Sequence, residues 1–382
     1  MNPTPLNPTP LNFTHDPYQT DPAAVRTRQQ RLLEVMQQKQ LDLVILTQQA
    51  HIQYFVGPRF AWTFSPAAAI SADGHVILVR PELVATEAVA DEVRTYEAQS
   101  FFSTLRNDQR QKSTAVLFDA LGSRASTKRI GVEASACGSE ITGRLSAELV
   151  DIEPDVYIMR RRKDPDEVAV LRKAIDGTRV MHARAREIIE PGVNELHVFN
   201  ELQAAAVREY GEMLTGTGND YACGERGGPP RNRKIEAGEL YILDLGPAFR
   251  GYFADNTRVT CVGGKPTAAQ LEAWQHILPV FEMVERQVKP GKRCRELFDE
   301  AHAWLNQKQW EFEHHLGHGI GLYPHEAPHL NPSWDDTFQV GEVFAVEPGL
   351  YGEPLRAGIR LENNYLVTKT GVELLTPFPL EL

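Results

Sequence analysis

Apolar and polar positions change their period several times along the chain, and each change marks an element. From Pro22 to Gln40 the apolar residues recur at helical spacing, with Val25, Leu32, Leu33 and Met36 on one face. Leu41–Thr47 (LDLVILT) is a short branched apolar run and predicts a buried strand. Ala67–Ser71 and His75–Arg80 flank Asp73-Gly74, a hairpin signal, and Lys128–Glu133 predicts a later strand. Asp164, Pro165 and Glu167 together make a helix start: a cap, a residue with φ already set, and the second half of a capping box. The helix they open buries Val168, Leu171, Ile175, Met181, Ala185 and Ile188 and stops at Pro191-Gly192. Further helices are predicted over Asn194–Tyr210, Ala268–Val288 and Cys294–Lys308.

The stretch Leu240–Val262 (LYILDLGPAFRGYFADNTRVTCV) breaks the apolar rule in an informative way. Its period of two predicts a β-hairpin, with Gly246, Pro247 and Gly251 turning the chain. Asp244 shares a face with Leu240 and Ile242 in the first arm; Asp255 shares one with Val259 in the second. An acid in an apolar strand is costly unless paired, so these two point either to an edge hairpin, with Arg258 as a partner, or to a cation held between them.

Three later stretches repeat the theme. His314–His325 (HHLGHGIGLYPH) places glycines at 317, 319 and 321, which lets the backbone approach a ligand, and five histidines fall between 314 and 329. Val343–Gly349 (VFAVEPG) carries Glu347 at the end of an apolar strand. Gly358–Val367 (GIRLENNYLV) puts Arg360 and Glu362 on one face. Each glutamate alone fits a structural salt bridge. Jointly, two Asp, two Glu and one His in β-like segments of one region fit a carboxylate-rich dinuclear metal set.

Composition narrows the setting. A length of 382 residues predicts two or three domains, and 42% apolar with 24% charged residues is ordinary for a globular chain. A net charge of −11 argues against a nucleic-acid partner, and no apolar run is long enough for a membrane span. The four cysteines are widely spaced and the first residues lack a secretory pattern, which makes the cytoplasm the expected location. Residues 1–21 form a Pro-rich tail with NPTPL in tandem and predict extended, poorly packed chain. His51, Tyr54, Arg59 and Trp62 are polar or aromatic loop candidates, read either as ordinary structure or interface or as lining a pocket.

The order Asp244–Asp255–His318–Glu347–Glu362, carried by LDLGPAFRGYFADNTR, GHGIGLYPHEAP, AVEPGLY and RLENN, resembles the pita-bread metallopeptidases. That family includes methionine aminopeptidase, aminopeptidase P, prolidase and the metal-free creatinase. The resemblance implies an α+β chain: after the tail, a small creatinase-like α/β domain over 22–157, then a pita-bread catalytic domain over 158–382. It implies that Asp244 chelates one metal, that Asp255 and Glu362 bridge both, and that His318 and Glu347 complete the other. Mn²⁺ is the first expectation, with Co²⁺, Zn²⁺ and Fe²⁺ also fitting the donor types. A bridging water would become the nucleophile, Glu347 would relay protons, and His325 would donate to the oxyanion. A homodimer is implied too, in which residues near Tyr54–Trp62 reach the partner's site.

The pattern departs from the family in three places. A His expected six residues before Arg233 is Gly227, the acid common after GHGIGL is Tyr323, and an Arg that holds the substrate carboxylate in some prolidases is His329. His329 and Arg360 are the substrate-binding candidates. The leading expectation is a Xaa-Pro dipeptidase or aminopeptidase P acting on small peptides. The alternatives are hydrolysis of a non-peptide C–N bond, of the ectoine-hydrolase sort, and a non-catalytic metal-binding member.

Overall fold

The structure is a computed structural model that describes residues 16–84, 86–100, 104–218 and 220–382. Residues 1–15, most of the predicted tail, lie outside the described residues. Residues 16–21 are packed rather than loose: Arg250 Nη1 lies 2.6 Å from Asp16 Oδ2, and the Tyr18 ring stands edge-on to Phe249 with centroids 5.4 Å apart. A charged partner and an aromatic neighbour outweigh the extended bias of the composition here.

The N-terminal part is built on a mixed six-stranded sheet. Its strand order is Glu92–Tyr96, Val76–Pro81, Ala67–Ser71, Leu43–Leu46, Arg129–Val132 and Glu148–Asp151. Ala67–Ser71 pairs antiparallel on both sides, with Val76–Pro81 through the Asp73-Gly74 hairpin and with Leu43–Leu46, and the three outer pairings with Glu92–Tyr96, Arg129–Val132 and Glu148–Asp151 are parallel. The first helix, Pro22–Lys39, buries Val25, Leu32 and Met36 as its spacing predicts. His51 and Tyr54 do not lie in a loop. They sit in the helix Gln49–Val56 and are fully buried, His51 against Glu133 at 2.7 Å and Tyr54 with its hydroxyl donating to the Met159 carbonyl at 3.2 Å.

The C-terminal part sets antiparallel strands against helices. Leu240–Leu245 pairs with Asn256–Cys261, and a short ribbon of Ala248–Phe249 with Tyr252–Phe253 forms the hairpin's far end. A five-stranded antiparallel sheet runs in the order Glu326–Leu330, Gly317–Gly319, Val343–Val346, Asn363–Val367, Val372–Leu374. Helices Pro165–Ile188 and Glu195–Tyr210 pack together on one side, and Ala268–Gln287 packs on Cys294–Leu305. Val168 and Ile188 are only half-buried, because the helix turns Val170, Ala174 and Thr178 inward instead. Among the described residues no helix is long and apolar enough to cross a membrane.

Buried charge joins the two parts. Arg28 bonds Asp164 at 2.9 Å and also pairs with Asp166, while Arg160 and Lys163 both hold Glu326. Glu167 is buried at this junction; its Oε2 accepts the Asp164 N–H at 2.9 Å and its Oε1 the Tyr252 hydroxyl at 3.1 Å. Burial outweighs the attraction of Arg28 and raises the Glu167 pKa from 4.5 to about 7. A carboxyl whose pKa is higher folded than unfolded binds protons better when folded. Its stabilising effect is therefore complete below the unfolded pKa and is lost as pH rises through about 7. Glu167→Gln should remove that loss. The melting temperature of the variant minus that of the wild type should increase between pH 5 and pH 8 in thermal melts; a pH-independent difference would show that Glu167 stays ionised.

Candidate metal centre

The five predicted ligands converge. Asp244, Asp255 and Glu362 each offer an oxygen within 4.8 Å of the others' oxygens, and all three are buried. His318 Nε2 lies 3.6 Å from Asp255 and 3.3 Å from Glu347, which joins the second half of the set to the first.

Strand ends place them. Asp244 lies in the strand Leu240–Leu245, directly opposite Thr257. Asp255 falls in the short break between Tyr252–Phe253 and Asn256–Cys261, Glu347 immediately follows Val343–Val346, and Glu362 sits between Ile359–Arg360 and Asn363–Val367. Neighbouring polar groups then fix the backbone at each break. Asn364 Nδ2 donates to the Asp255 carbonyl at 2.6 Å, Asn256 Nδ2 to the Glu362 carbonyl at 2.7 Å, and the Glu347 N–H to the Leu316 carbonyl at 2.8 Å. Thr257 Oγ1 donates to Glu362 Oε2 at 2.8 Å. Arg258 does not pair with Asp255; it is buried and donates to the carbonyls of Thr257, Glu362 and Pro379.

The glycines of HHLGHGIGLYPH serve the chain rather than a ligand. A Cβ on Gly317 would overlap the Ala345 carbonyl and one on Gly319 the Ala327 carbonyl, because the strands on both sides approach closely. His318 Nδ1 donates to the Gly319 carbonyl at 3.0 Å. That bond turns Nε2 toward Asp255 and Glu347, the nitrogen a metal would take in its unprotonated form.

The oxygens fit divalent cations on three grounds. Asp244 Oδ1, Asp255 Oδ1 and Glu362 Oε1 are buried and accept no hydrogen bond from the described residues. Burial, then the charges of Glu362 and Asp244, hold the Asp255 carboxyl well above its ordinary range; burial and the charges of Asp244 and Glu347 do the same to Glu362. A hard, anionic donor set with one imidazole matches first-row divalent ions. Burial pushes the Glu347 carboxyl upward too, but hydrogen bonds from His315 and His318 hold it well below its usual value.

Around the ligands opens a cavity of about 570 Å³, within the usual size for small-molecule sites. Asp220, Arg226, Glu313, His315, His325 and Tyr351 are part of its lining. The larger cavity, about 1210 Å³ beside Arg59, Trp62 and Met213, contains none of the five ligands. His325 stands with its ring centroid 4.0 Å from that of His318; burial and the neighbouring His318 lower its pKa to about 4, so it is neutral near pH 7.

The two substrate-binding candidates are placed differently from each other: Arg360 lines the cavity and His329 does not. His329 lies outside the cavity lining, edge-on to Trp334 at 5.0 Å, and burial lowers its pKa; a neutral imidazole there is not the cation a carboxylate requires. Arg360 is buried, and its guanidinium is committed to Asp244 at 2.8 Å, to Asp220, to the Tyr351 hydroxyl at 3.3 Å and to the Arg226 carbonyl at 3.1 Å. Tyr323 replaces the family acid with a strut: its hydroxyl donates to Gln48 Oε1 at 2.6 Å and Arg160 lies 4.2 Å over its ring.

Sequence reasoning missed several lining residues, among them Asp220, Glu313, His315 and Tyr351. Asp220 lies in GTGNDYACG, which has no periodicity to mark it, and reaches the site by a two-way backbone pairing with Asp244. His315 donates through Nε2 to Glu347 Oε1 at 2.7 Å. The histidine density around it was a signal, but spacing alone could not choose among the five.

Residues 169–369 match the profile of metallopeptidase family M24. The chain belongs to that family. Residues 28–162 match the creatinase/prolidase N-terminal domain, so an N-terminal creatinase-type domain precedes an M24 catalytic domain in an α+β, prolidase-like architecture. An uncharacterized peptidase of Bacillus subtilis is 26% identical over 364 residues, covering 92% of this chain and 98% of its own. Among solved structures, a prolidase from Pyrococcus horikoshii superposes with a TM-score of 0.80 at 24% identity, covering 93% of this chain and 99% of that one. An Xaa-Pro dipeptidase from Bacillus anthracis superposes with a TM-score of 0.80 at 24% identity, covering 94% and 99%. These two share the fold. M24 peptidases depend on divalent metal, in line with the orphaned oxygens.

Asp255→Ala should abolish bound metal and activity while lowering stability modestly, since it also relieves the repulsion among buried acids. Elemental analysis of the purified variant checks this, and retention of both ions would remove Asp255 from the ligand set.

Proposed function

We propose that this M24 enzyme is an Xaa-Pro peptidase of the prolidase or aminopeptidase P type with a dinuclear centre, Mn²⁺ first, held by Asp244, Asp255, His318, Glu347 and Glu362. The observation that carries this reading is the trio of buried, unpartnered carboxylate oxygens on Asp244, Asp255 and Glu362, with His318 Nε2 turned toward Asp255 and Glu347, beside a cavity of small-peptide size. When bound, the ions supply Lewis acidity and lower the pKa of water. The chain supplies the rest. Glu347, oriented by the His315 N–H, accepts and returns the proton at Oε1 or Oε2. His325, neutral and at the cavity wall, donates an N–H to the oxyanion; loss of one such donor costs about 3 kcal/mol. His325→Ala should therefore retain metal while kcat falls by about two orders of magnitude, read by steady-state kinetics alongside elemental analysis. Unchanged turnover would take His325 out of the mechanism.

A proline imide nitrogen carries no N–H, so its cleavage calls for a site shaped to the ring. Metal-stripped protein given Xaa-Pro dipeptides and Xaa-Pro-Yaa tripeptides with Mn²⁺, Co²⁺ or Zn²⁺ in turn should release the N-terminal residue only with metal. The ratio of the two substrate lengths separates prolidase from aminopeptidase P. A second reading, hydrolysis of a non-peptide C–N bond, is favoured by Gly227, the position of the family His, where a Cβ would fall 2.6 Å from the Asp220 carboxylate, so no side chain is accommodated there. No cleavage of any peptide by protein that binds two ions would count against the peptidase reading and turn the assignment toward a non-peptide substrate or a non-catalytic metal-binding member.

We also infer a homodimer in the cytoplasm. Trp62 is 91% exposed and Met213 81%, both beside the larger cavity, which supports burial against a second copy; the four cysteines are unpaired. A monomer by light scattering would overturn the dimer.

A further inference from the structure

We propose that Arg226 receives a free carboxylate of the substrate, which selects substrates bearing a terminal acid next to the bond that is cut. The inference rests on the peptidase reading above and names its substrate class. Two arginines line the cavity, Arg226 and Arg360. Arg360 is buried and holds Asp244, Asp220 and Tyr351, so its charge is spent on the ligand set.

Arg226 has the opposite character. Its backbone is fixed, because its carbonyl accepts Arg360 Nη1 at 3.1 Å and the next two residues close tightly on Asp220. The Gly228 N–H donates to Asp220 Oδ1 at 2.6 Å, and a side chain at Gly227 would collide with the same carboxylate. Its side chain, by contrast, is 55% exposed and lies with its guanidinium carbon 5.0 Å over the Tyr351 ring, paired with Glu313, itself 49% exposed. An ion pair this exposed is weak and solvent-screened, so a ligand carboxylate can replace Glu313 without a new charge being buried. The guanidinium fork offers such a carboxylate two parallel hydrogen bonds.

The rest of the cavity reinforces the choice. Deeper in the cavity Asp244, Asp255 and Glu347 are proposed metal ligands and Arg360 is already held by Asp220 and Asp244, which leaves Arg226 as the arginine open to a substrate carboxylate. His329 is outside it and Gly227 brings no side chain. A carboxylate is thus held at the rim by Arg226, and the bond to be cut points inward toward the ligands.

The test compares an Xaa-Pro dipeptide with its C-terminal amide on metal-loaded wild type, Arg226→Ala, Arg226→Lys and Glu313→Gln. Wild type should prefer the acid by about tenfold or more in kcat/KM, expressed in KM. Arg226→Ala should reduce that preference to within about twofold, and Arg226→Lys should keep part of it. Glu313→Gln removes the competing carboxylate and should lower KM for the acid; an unchanged or higher KM counts against Arg226. If wild type cleaves acid and amide equally well, or Arg226→Ala keeps the full preference, this inference alone falls. If wild type cleaves neither, the peptidase reading falls and takes the inference with it.

Discussion

Carboxylates within 4.8 Å of one another in a buried site repel strongly, and much of the catalytic domain is arranged around that repulsion. Asp255, Glu347 and Glu362 all sit at breaks or ends of strands, where the backbone is free to aim a carboxylate without sacrificing a full ladder. Asn256, Asn364 and Thr257 hold those breaks in place by bonding carbonyls and carboxylate oxygens from behind. Arg360 offsets part of the negative charge at Asp244, and His315 part of it at Glu347. What the protein leaves uncompensated is one oxygen on each of Asp244, Asp255 and Glu362. Divalent metal, on which M24 peptidases depend, supplies positive charge of the kind these three oxygens lack.

The same economy extends to the domain junction. Tyr323 and Glu326 flank His325 in sequence, and both are tied to the N-terminal side, Tyr323 through Gln48 and Glu326 through Arg160 and Lys163. The loop that carries His325 is therefore anchored on each side to elements outside the sheet that carries His318. An acid at position 323 would have added another anion near Glu133 and Glu153; the tyrosine instead supplies a hydroxyl and a ring face for Arg160.

The convergence of the five proposed ligands was legible because acids in apolar β-like segments contradict their surroundings, and four such acids with His318 in one order carry more information than any one. Helix bounds were legible where caps were explicit, as at Asp164 and Asn194. The rest depended on three-dimensional facts that spacing does not carry. Arg360 shares a face with Glu362 in sequence, yet its guanidinium turns to Asp244 and Asp220 from other segments. Tyr54 and His51 looked like loop residues because their segment is short and mixed, but tertiary packing makes it a buried helix. Asp220 had no local signal at all; only its pairing with Asp244 brings it to the wall.

The central claim is that these five side chains hold two divalent ions close together. Electron paramagnetic resonance of the metal-stripped protein, with Mn²⁺ added first to one and then to two equivalents, tests it directly. The account predicts that the second equivalent produces the broad spectrum of an exchange-coupled pair. Only the sharp hyperfine pattern of isolated Mn²⁺ at both loadings, or no bound Mn²⁺, would contradict it.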